Sequence, residues 1–134
     1  MSIRDRFEAQ EHTRGRGLVG ENAACRYLVG LGYRVLERNV TNHAGEIDII
    51  AQAGDTLCFI EVKARSQTHF GRAAAHVTPR KQRRLARAAA LYLAQRGLVE
   101  VEVRFDVLGL ERAGESWSFD HIQAAFEAEE SFQV

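Results

Sequence analysis

The stretch that decides the fold spans residues 45–65 and reads Gly-Glu-Ile-Asp-Ile-Ile-Ala-Gln-Ala-Gly-Asp-Thr-Leu-Cys-Phe-Ile-Glu-Val-Lys-Ala-Arg. Two runs rich in β-branched and aromatic residues flank a turn at Gly54 and Asp55, and this pattern predicts a β-hairpin. Both runs are apolar enough for strands that are covered on two faces. Charged side chains nevertheless interrupt each run, and this conflict needs a chemical explanation.

The charges of the hairpin fall on defined faces because side chains alternate along a strand. One phase is expected to carry Glu46, Asp48 and Ile50 on the first strand and Phe59, Glu61 and Lys63 on the second. The opposite phase carries the apolar residues Ile47, Ile49, Cys58, Ile60 and Val62. The hairpin is therefore predicted to bring two carboxylates and an ammonium group together on one side.

Two neighbouring carboxylates oppose folding more strongly than strand propensity can offset. At a separation of about 4 Å they repel by roughly 4 kcal/mol at an effective dielectric near 20, whereas the β-propensity scale spans only about 1 kcal/mol. A divalent cation turns this repulsion into coordination, and hard oxygen ligands suit Mg²⁺ or Mn²⁺. With Lys63 beside Asp48 and Glu61, these are the parts of a metal-assisted phosphodiester hydrolase. The alternative is that Glu61 and Lys63 only pair with neighbours across the sheet.

Length and charge distribution indicate one domain with an electropositive middle. We expect a mobile arm at 1–16, a single domain at 17–126 and an acidic tail at 127–134 in this 134-residue chain. The formal net charge is zero, yet residues 62–99 contain nine basic side chains and no acidic one, while residues 100–134 contain nine acidic and two basic ones. Lysine is rare: the chain has only Lys63 and Lys81, beside sixteen arginines.

Cysteine use and the N-terminus favour the cytoplasm. Cys25 and Cys58 are far apart and form no Cys-x-x-Cys pair, so we expect two buried free thiols in a reducing compartment. The first residues form no apolar signal region, and no run approaches the roughly 20 apolar residues of a membrane span. We therefore expect a cytoplasmic protein without a membrane partner.

Two helices are predicted on either side of the hairpin in the sequence. The first covers Leu18 to Leu31 and places Glu21 on its apolar stripe. Either Glu21 stays hydrated near the helix N-terminus, where it favours the helix dipole, or it reaches the charged face of the hairpin as an outer ligand of the metal or its water. The second helix begins with Thr78 as N-cap and Pro79 at its first position, and it continues to about Gln95.

The first half of the second helix is strongly basic, with Arg80, Lys81, Arg83, Arg84 and Arg87. Basic residues at a helix N-terminus oppose the helix dipole, so a partner outside the helix is expected to compensate. A phosphate backbone is the preferred partner, and a solvated basic face is the alternative.

The remaining segments predict three more strands. Tyr33 to Val40 is expected to form the strand before the hairpin, with His43 in the connecting turn. Val99 to Leu110 alternates as a long half-exposed strand, in which we assign Asp106 as a structural partner of a helix arginine and not as a metal ligand. Residues 116–122 form a last edge strand, followed by a short acidic helical tail from Ala124 that Phe126 anchors. The order of helix, three strands, helix and two strands predicts an α/β fold.

Several spaced motifs then resemble a known family. They are Gly-x-x-x-Glu at 17–21, Gly-Tyr-x-Val-Leu at 32–36, Gly-Glu-Ile-Asp-Ile-Ile at 45–50, Phe-Ile-Glu-Val-Lys-x-Arg at 59–65, Val-Thr-x-x-Lys-Gln at 77–82, Ala-x-x-Tyr-Leu at 89–93 and Arg-Phe-Asp-Val at 104–107. Together they resemble the YraN-type bacterial family, which is assigned to the endonucleases of the PD-(D/E)XK superfamily and is distantly similar to archaeal Holliday junction resolvases. The resemblance covers the chain from Gly17 to Phe126.

The resemblance implies a restriction-endonuclease-like core, a central mixed sheet of about five strands flanked by helices. It implies that Asp48 and Glu61 bind Mg²⁺ or Mn²⁺, and we add the Val62 carbonyl as a further ligand. It implies that Lys63 positions or activates the attacking water, and that Glu21 is an accessory ligand. Ile47 stands where the superfamily label carries proline, a common departure.

The predicted function is metal-dependent hydrolysis of phosphodiester bonds in structured DNA, branched or single-stranded, in repair or recombination. The side chains expected to contact nucleic acid are Arg65, Arg80, Lys81, Arg83, Arg84 and Arg87. Because the resolvases act as two-fold dimers, a homodimer is a further expected partner. Two alternatives stay open: a non-catalytic module that binds nucleic acid, and an adaptor that binds a protein partner through the acidic tail.

Overall fold

The computed structural model describes residues 16–64 and 77–128, with side chains from Val19 onward in the first helix. Its elements are α1 (Arg16–Gly30), β1 (Arg34–Asn42), β2 (Gly45–Ala53), β3 (Thr56–Ala64), α2 (Pro79–Gln95), β4 (Glu102–Ala113) and β5 (Ser116–Phe126). This is the predicted order, so the α/β assignment is confirmed. Most of the predicted arm at 1–16, residues 65–76 with Arg65, and most of the predicted tail at 127–134 lie outside the described residues, which include Arg16 in α1 and residues 127 and 128.

The five strands form one mixed sheet in the order β1-β2-β3-β4-β5. β3 and β4 run parallel, and the other neighbouring pairs are antiparallel. A parallel pair needs a long crossover connection, and the segment that contains α2 supplies it. The hairpin of β2 and β3 lies inside the sheet, and Gly54 adopts a φ of +60° in its turn. The predicted hairpin and the flanked sheet are therefore confirmed.

One helix covers each face of the sheet. Ala24, Cys25 and Leu28 of α1 pack with residues such as Ile49 and Ile60. On the other face, Leu85, Ala88 and Tyr92 of α2 pack with residues such as Ile50 and Phe59. Fully burying an aliphatic or aromatic side chain contributes about 1.5–3 kcal/mol. The double coverage explains why the hairpin is apolar in both phases.

Strict alternation fails at Asp48. Ile47 and Ile50 both pack on the α2 face, whereas Ile49 packs on the α1 face. The β2–β3 ladder begins at the pair of Ile49 and Ile60, so Asp48 lies beyond it. In β1, Asn39 stands between the partners of Ile47 and Ile49 and has a φ of +54°. Alternation therefore breaks within residues 47–50 of β2, although Glu46 and Asp48 both line the recess beside α2 and Ile50 packs in the cluster under that helix.

α2 is fixed at its start and along its length. Its N-cap Thr78 accepts a hydrogen bond from the Lys81 N–H at 3.2 Å, with Pro79 at the first helical position, as predicted. The amide of Asn42, at the end of β1, donates to the Ala88 carbonyl at 3.0 Å. These contacts hold the basic half of α2 above the end of β2.

β4 differs from its prediction in two respects. It begins at Glu102, and Val99 is 80% exposed outside it. All residues from Phe105 to Leu110 are buried, so the prediction of a half-exposed strand is wrong. β4 lies between β3 and β5, and the apolar clusters under both helices include its residues. Asp106 is structural but pairs with Arg104 of its own strand and not with a helix arginine, which corrects that assignment.

β5 is the predicted edge strand and continues through Phe126. The prediction of a helix from Ala124 is therefore wrong for residues 124–126. Phe126 does anchor this end, because its ring stacks on that of Phe105 with centroids 5.1 Å apart. Cys25 and Cys58 are buried free thiols, as expected. Neither helix in the described ranges is long and apolar enough to cross a bilayer.

Candidate active site

A recess of about 250 Å³ opens between the start of α2 and the ends of β2 and β3. Its lining consists of Glu46, Asp48, Glu61, Lys81, Arg84 and Leu85. The recess forms because β2 and β3 stop pairing beyond Ile49 and Ile60 while α2 crosses above them. All but one of the lining side chains are ionisable, so this part of the surface is built from charges of both signs.

The carboxylates of Asp48 and Glu61 are in hydrogen-bond contact inside this recess. Burial, and then the charge of Glu61, raise the pKa of Asp48 to about 8. The Val62 N–H opposes this rise, because it donates a hydrogen bond to Asp48 Oδ2 at 2.8 Å. Without a cation, Asp48 is therefore expected to keep its proton at neutral pH.

A small divalent cation fits the donor set of this pair. Two carboxylates in contact require a proton or a cation between them, and Mg²⁺ is typically held by one or two carboxylates with water and substrate phosphates completing its shell. Across residues 16–64 and 77–128, no three His, Cys, Asp or Glu side chains form a metal-ligand group. The arrangement therefore matches an open, substrate-completed site and differs from a closed structural one. Val62, the predicted carbonyl ligand, is tied to the pair by its N–H.

Lys63, two residues beyond Glu61, is influenced by Lys81 and by the carboxylate pair. The contact with the Lys81 amine is the largest cause that lowers the pKa of Lys63, and burial adds to it. The charges of Glu61 and Asp48 act in the opposite direction. The only two lysines in the sequence are thus neighbours at this site, although residues 64–80 separate them along the chain.

Glu21 approaches the site but is engaged by an arginine. Its charge contributes to the raised pKa of Asp48, so the two carboxylates are close. Its Oε1 lies 3.5 Å from Arg38 Nη2, with side-chain exposures of 16% for Glu21 and 2% for Arg38. α1 begins at Arg16 and has no acidic residue in its first turn, so the alternative of a hydrated first-turn glutamate is wrong. Asp48, Glu61 and Lys63 therefore converge, and Glu21 borders them.

Arg38 and Asn39 border the site and were not predicted from the sequence. Arg38 donates to Asn22 Oδ1 at 2.5 Å and pairs with Glu21, so it neutralises the helix carboxylate next to the site. Asn39 adopts the left-handed conformation opposite Asp48. A signal was present, because residues 37–39 read Glu-Arg-Asn in a strand where apolar and polar residues should alternate. A buried arginine is almost always paired, so this run pointed to an ion pair.

The predicted nucleic-acid contacts on α2 divide into two groups. Lys81 and Arg84 line the recess with the carboxylates. Arg80, Arg83 and Arg87 are exposed on the helix and are not part of the recess lining. The structure therefore separates side chains that the sequence analysis treated as equivalent.

A second charged cluster lies on the α1 face of the sheet and is fully paired. Asp106 is completely buried, and both of its carboxylate oxygens accept hydrogen bonds from Arg104 at 2.8 Å. One of these oxygens also lies 2.9 Å from His121 Nε2. The other accepts a hydrogen bond from the Ala124 N–H at 3.1 Å. Burial alone would raise the pKa of Asp106, but the hydrogen bonds from His121, Arg104 and Ala124 together hold it below its ordinary value. Because these contacts satisfy the carboxylate, the cluster is structural.

The comparisons with known proteins agree on one group. The sequence profile of the Uncharacterised protein family UPF0102 matches residues 20–110, from α1 into β4. A UPF0102 protein of Chlorobaculum parvum is 46% identical over 116 residues, which cover 82% of this chain and 90% of the relative. One of Geobacter sulfurreducens is 39% identical over 121 residues, covering 90% and 94%. One of Symbiobacterium thermophilum is 50% identical over 95 residues, covering 71% and 80%.

Proposed function

The chain belongs to the uncharacterised protein family UPF0102, the YraN-type family that its motifs resemble, and we propose that it is an endonuclease that needs a divalent metal. Its substrate is DNA of non-duplex structure, branched or single-stranded. The observation that carries the proposal is the contact between the Asp48 and Glu61 carboxylates in a recess that also holds basic side chains.

The carboxylate pair supports metal binding through its energetic cost. Two ionised carboxylates about 4 Å apart repel by roughly 4 kcal/mol at an effective dielectric near 20. The protein places Asp48 and Glu61 in contact in a recess that Lys81 and Arg84 also line. A divalent cation held by the two carboxylates, with the Val62 carbonyl as a further ligand, would remove the repulsion. A pair retained at such a cost fits a binding role better than a structural one.

Each residue of the site has a role in this chemistry. When bound, Mg²⁺ or Mn²⁺ polarises the phosphate and lowers the pKa of a coordinated water. Asp48 and Glu61 would hold the cation through their carboxylates, and the Val62 N–H fixes the orientation of Asp48. The Lys63 ammonium, two residues beyond Glu61, donates to the attacking water or to the developing negative charge.

The basic side of α2 supports nucleic acid as the substrate. α2 has no acidic residue in its first turn, and its exposed arginines follow one another along the helix beside the recess. Contacts of this kind bind the phosphate backbone and position it without selecting a base sequence. DNA held along α2 would place a phosphate at the carboxylate pair. The two-fold dimer that the resemblance implies would present two such recesses to a branched substrate.

A cleavage screen with matched variants tests the proposal. We expect the wild-type protein to cut branched or single-stranded DNA with Mn²⁺ and to leave it intact in a chelator. Asp48→Asn and Glu61→Gln should abolish cleavage while DNA binding persists, because each removes a negative charge and no basic residue. The control is Asp55→Asn, an exposed acid in the turn of the same hairpin, which should cut normally.

The exposed arginines of α2 also favour a second candidate, a module that binds nucleic acid without cutting it. It predicts binding that is unchanged by metal chelation and no product from any branched, single-stranded or linear DNA. The absence of any nucleic-acid affinity at low salt would contradict both candidates, because contacts to phosphate are strongest there.

A further inference from the structure

The hairpin that joins β4 to β5 extends past Ala64, the last described residue of β3. Ala64 pairs with Leu110, and β4 continues from there to Ala113 before the turn at Gly114. β3 and β4 run parallel, and the recess takes its Glu61 from the last part of β3. The hairpin tip and the recess therefore lie at the same end of the sheet.

Arg112 and Trp117 meet at this tip. They are register partners of β4 and β5. The guanidinium carbon of Arg112 lies 5.5 Å from the centroid of the Trp117 ring, and Arg112 Nε donates a hydrogen bond to the Gly114 carbonyl at 3.1 Å. Arg112 is exposed and Trp117 is half-buried. The turn thus holds a guanidinium group against an indole ring, and both reach the surface.

The Arg112–Trp117 pair lies on the α1 side of the sheet. Trp117 stands two residues before Phe119, which packs against the apolar cluster under α1 and stacks on Tyr27 with ring centroids 4.5 Å apart. Alternation places Trp117 on the same side, and its register partner Arg112 shares that side. Because α2 borders the recess on the other side, a nucleic-acid strand that touches both places crosses the end of β3.

Two flat groups at the surface suit an unpaired nucleobase. Unpaired bases stack on aromatic side chains and on the guanidinium planes of arginine, and this stacking tolerates any base because every base has a π-face. A base inside a duplex is already stacked and paired, so it cannot use such a surface. The structural alternative is a cation–π contact that only closes the hairpin. It predicts that the indole ring does not respond to DNA.

We propose that the Arg112–Trp117 pair binds an unpaired base of the DNA by stacking. This inference rests on the proposed function and names the feature of the substrate that the protein recognises. Glu61 of the recess pairs with Val107, and the strand rise puts Arg112 about 17 Å farther along β4. At about 3.4 Å for each nucleotide of a stacked strand, this is roughly five nucleotides. The bound base therefore belongs to the strand that flanks the cleaved phosphate.

The first measurement is the fluorescence of the indole ring. Trp117 is the only tryptophan in the chain, so the emission reports on this pair alone. In a chelator, which prevents cleavage, a single-stranded deoxythymidine oligomer should quench the emission along a saturable curve. An abasic oligomer of the same length should bind about tenfold more weakly and should not quench. Equal quenching by the two oligomers, or binding of the deoxythymidine oligomer without quenching, would overturn the inference.

The second measurement compares the affinities of variants by the anisotropy of labelled DNA. Trp117→Leu should weaken binding of single-stranded DNA by about tenfold and leave binding of blunt duplex unchanged. Trp117→Phe keeps a flat ring and should recover most of the loss. Arg112→Lys keeps the charge without the plane, so it should weaken single-stranded binding only. Equal losses for single-stranded and duplex DNA in these variants would show a contact to phosphate and refute stacking.

Failure of the stacking contact and failure of the proposed nuclease give different results. Metal-dependent cleavage by a Trp117→Leu protein with unchanged affinity for single-stranded DNA would refute the contact and leave the nuclease standing. Quenching that needs the bases, without cleavage in any metal, would uphold the contact while the nuclease fails. No affinity for any oligomer at low salt would overturn both.

Discussion

Replacing Asp48 with asparagine should stabilise the metal-free protein above neutral pH, although it removes a proposed metal ligand. In the folded state the pKa of Asp48 is raised from 3.8 to about 8 by burial and by Glu61. The folded protein therefore keeps a proton that the unfolded chain releases. Protonated Asp48 therefore contributes stability to the folded protein that is fully present below about pH 4 and is lost as the pH rises through about 8. Asparagine does not titrate, so the stability of the variant does not fall over this pH range for that reason.

The magnitude follows from the two pKa values. Each pH unit between them corresponds to about 1.4 kcal/mol, so this group lowers the free energy of unfolding of the wild type by roughly 4 kcal/mol between pH 4 and pH 7. Water in the open recess weakens the effect, and we expect Asp48→Asn to be more stable by about 2–4 kcal/mol at pH 7. Asparagine fits the site, because its oxygen can accept from the Val62 N–H and its amide can donate to Glu61.

Urea unfolding at pH 5 and pH 8 in the presence of a chelator measures this difference. The advantage of Asp48→Asn should grow from pH 5 to pH 8, and Asp55→Asn should show no such trend. Added Mg²⁺ at pH 8 should stabilise the wild type and leave Asp48→Asn unchanged, because a ligand that binds only the folded state raises its stability. A variant that is destabilised by the same amount at both pH values would refute the reasoning about the carboxylate pair.

Two further predictions concern the groups around the site. Arg38→Met should lower the free energy of unfolding by about 3 kcal/mol, because it removes the buried cation that pairs with the Glu21 carboxylate. In urea unfolding, a second change of Glu21→Gln should restore part of the loss. No recovery in the double variant would contradict the pairing. For Asp106 the pKa is held below its ordinary value, so its contribution is present above about pH 4 and is lost as the pH falls further. Asp106→Asn should therefore flatten the acid limb of a stability profile between pH 2 and pH 5, and an unchanged slope would count against its ion pairs.

The local features of the fold could be predicted from the sequence, and the features that need distant partners could not. The hairpin and the cap of α2 depend on neighbouring residues, and both were predicted. Alternation in β4 predicted a half-exposed strand, with Asp106 as a partner of a helix arginine, whereas Asp106 is fully buried. Its burial depends on Arg104 and on His121 of β5, and the alternation of β4 does not reveal that partner strand.

The candidate site divides in the same way. Asp48, Glu61 and Lys63 belong to one hairpin, so their proximity followed from strand geometry, whereas the break in alternation beside Asp48, opposite the left-handed Asn39, did not. The approach of Lys81 to Lys63 depends on where the crossover places α2, and periodicity carries no information about that. For the same reason the ion pair of Glu21 with Arg38 was missed, since it joins α1 to β1.

The most direct test of the account is a crystal structure of the wild-type protein with Mn²⁺ at saturating concentration, with the metal located by its anomalous scattering. The account predicts a peak bonded to one oxygen each of Asp48 and Glu61, and no peak there in Asp48→Asn crystals grown in the same way. Two results would contradict the central claim. In one, the carboxylates of Asp48 and Glu61 stay in mutual contact at saturating Mn²⁺; in the other, the anomalous peaks lie only elsewhere on the protein.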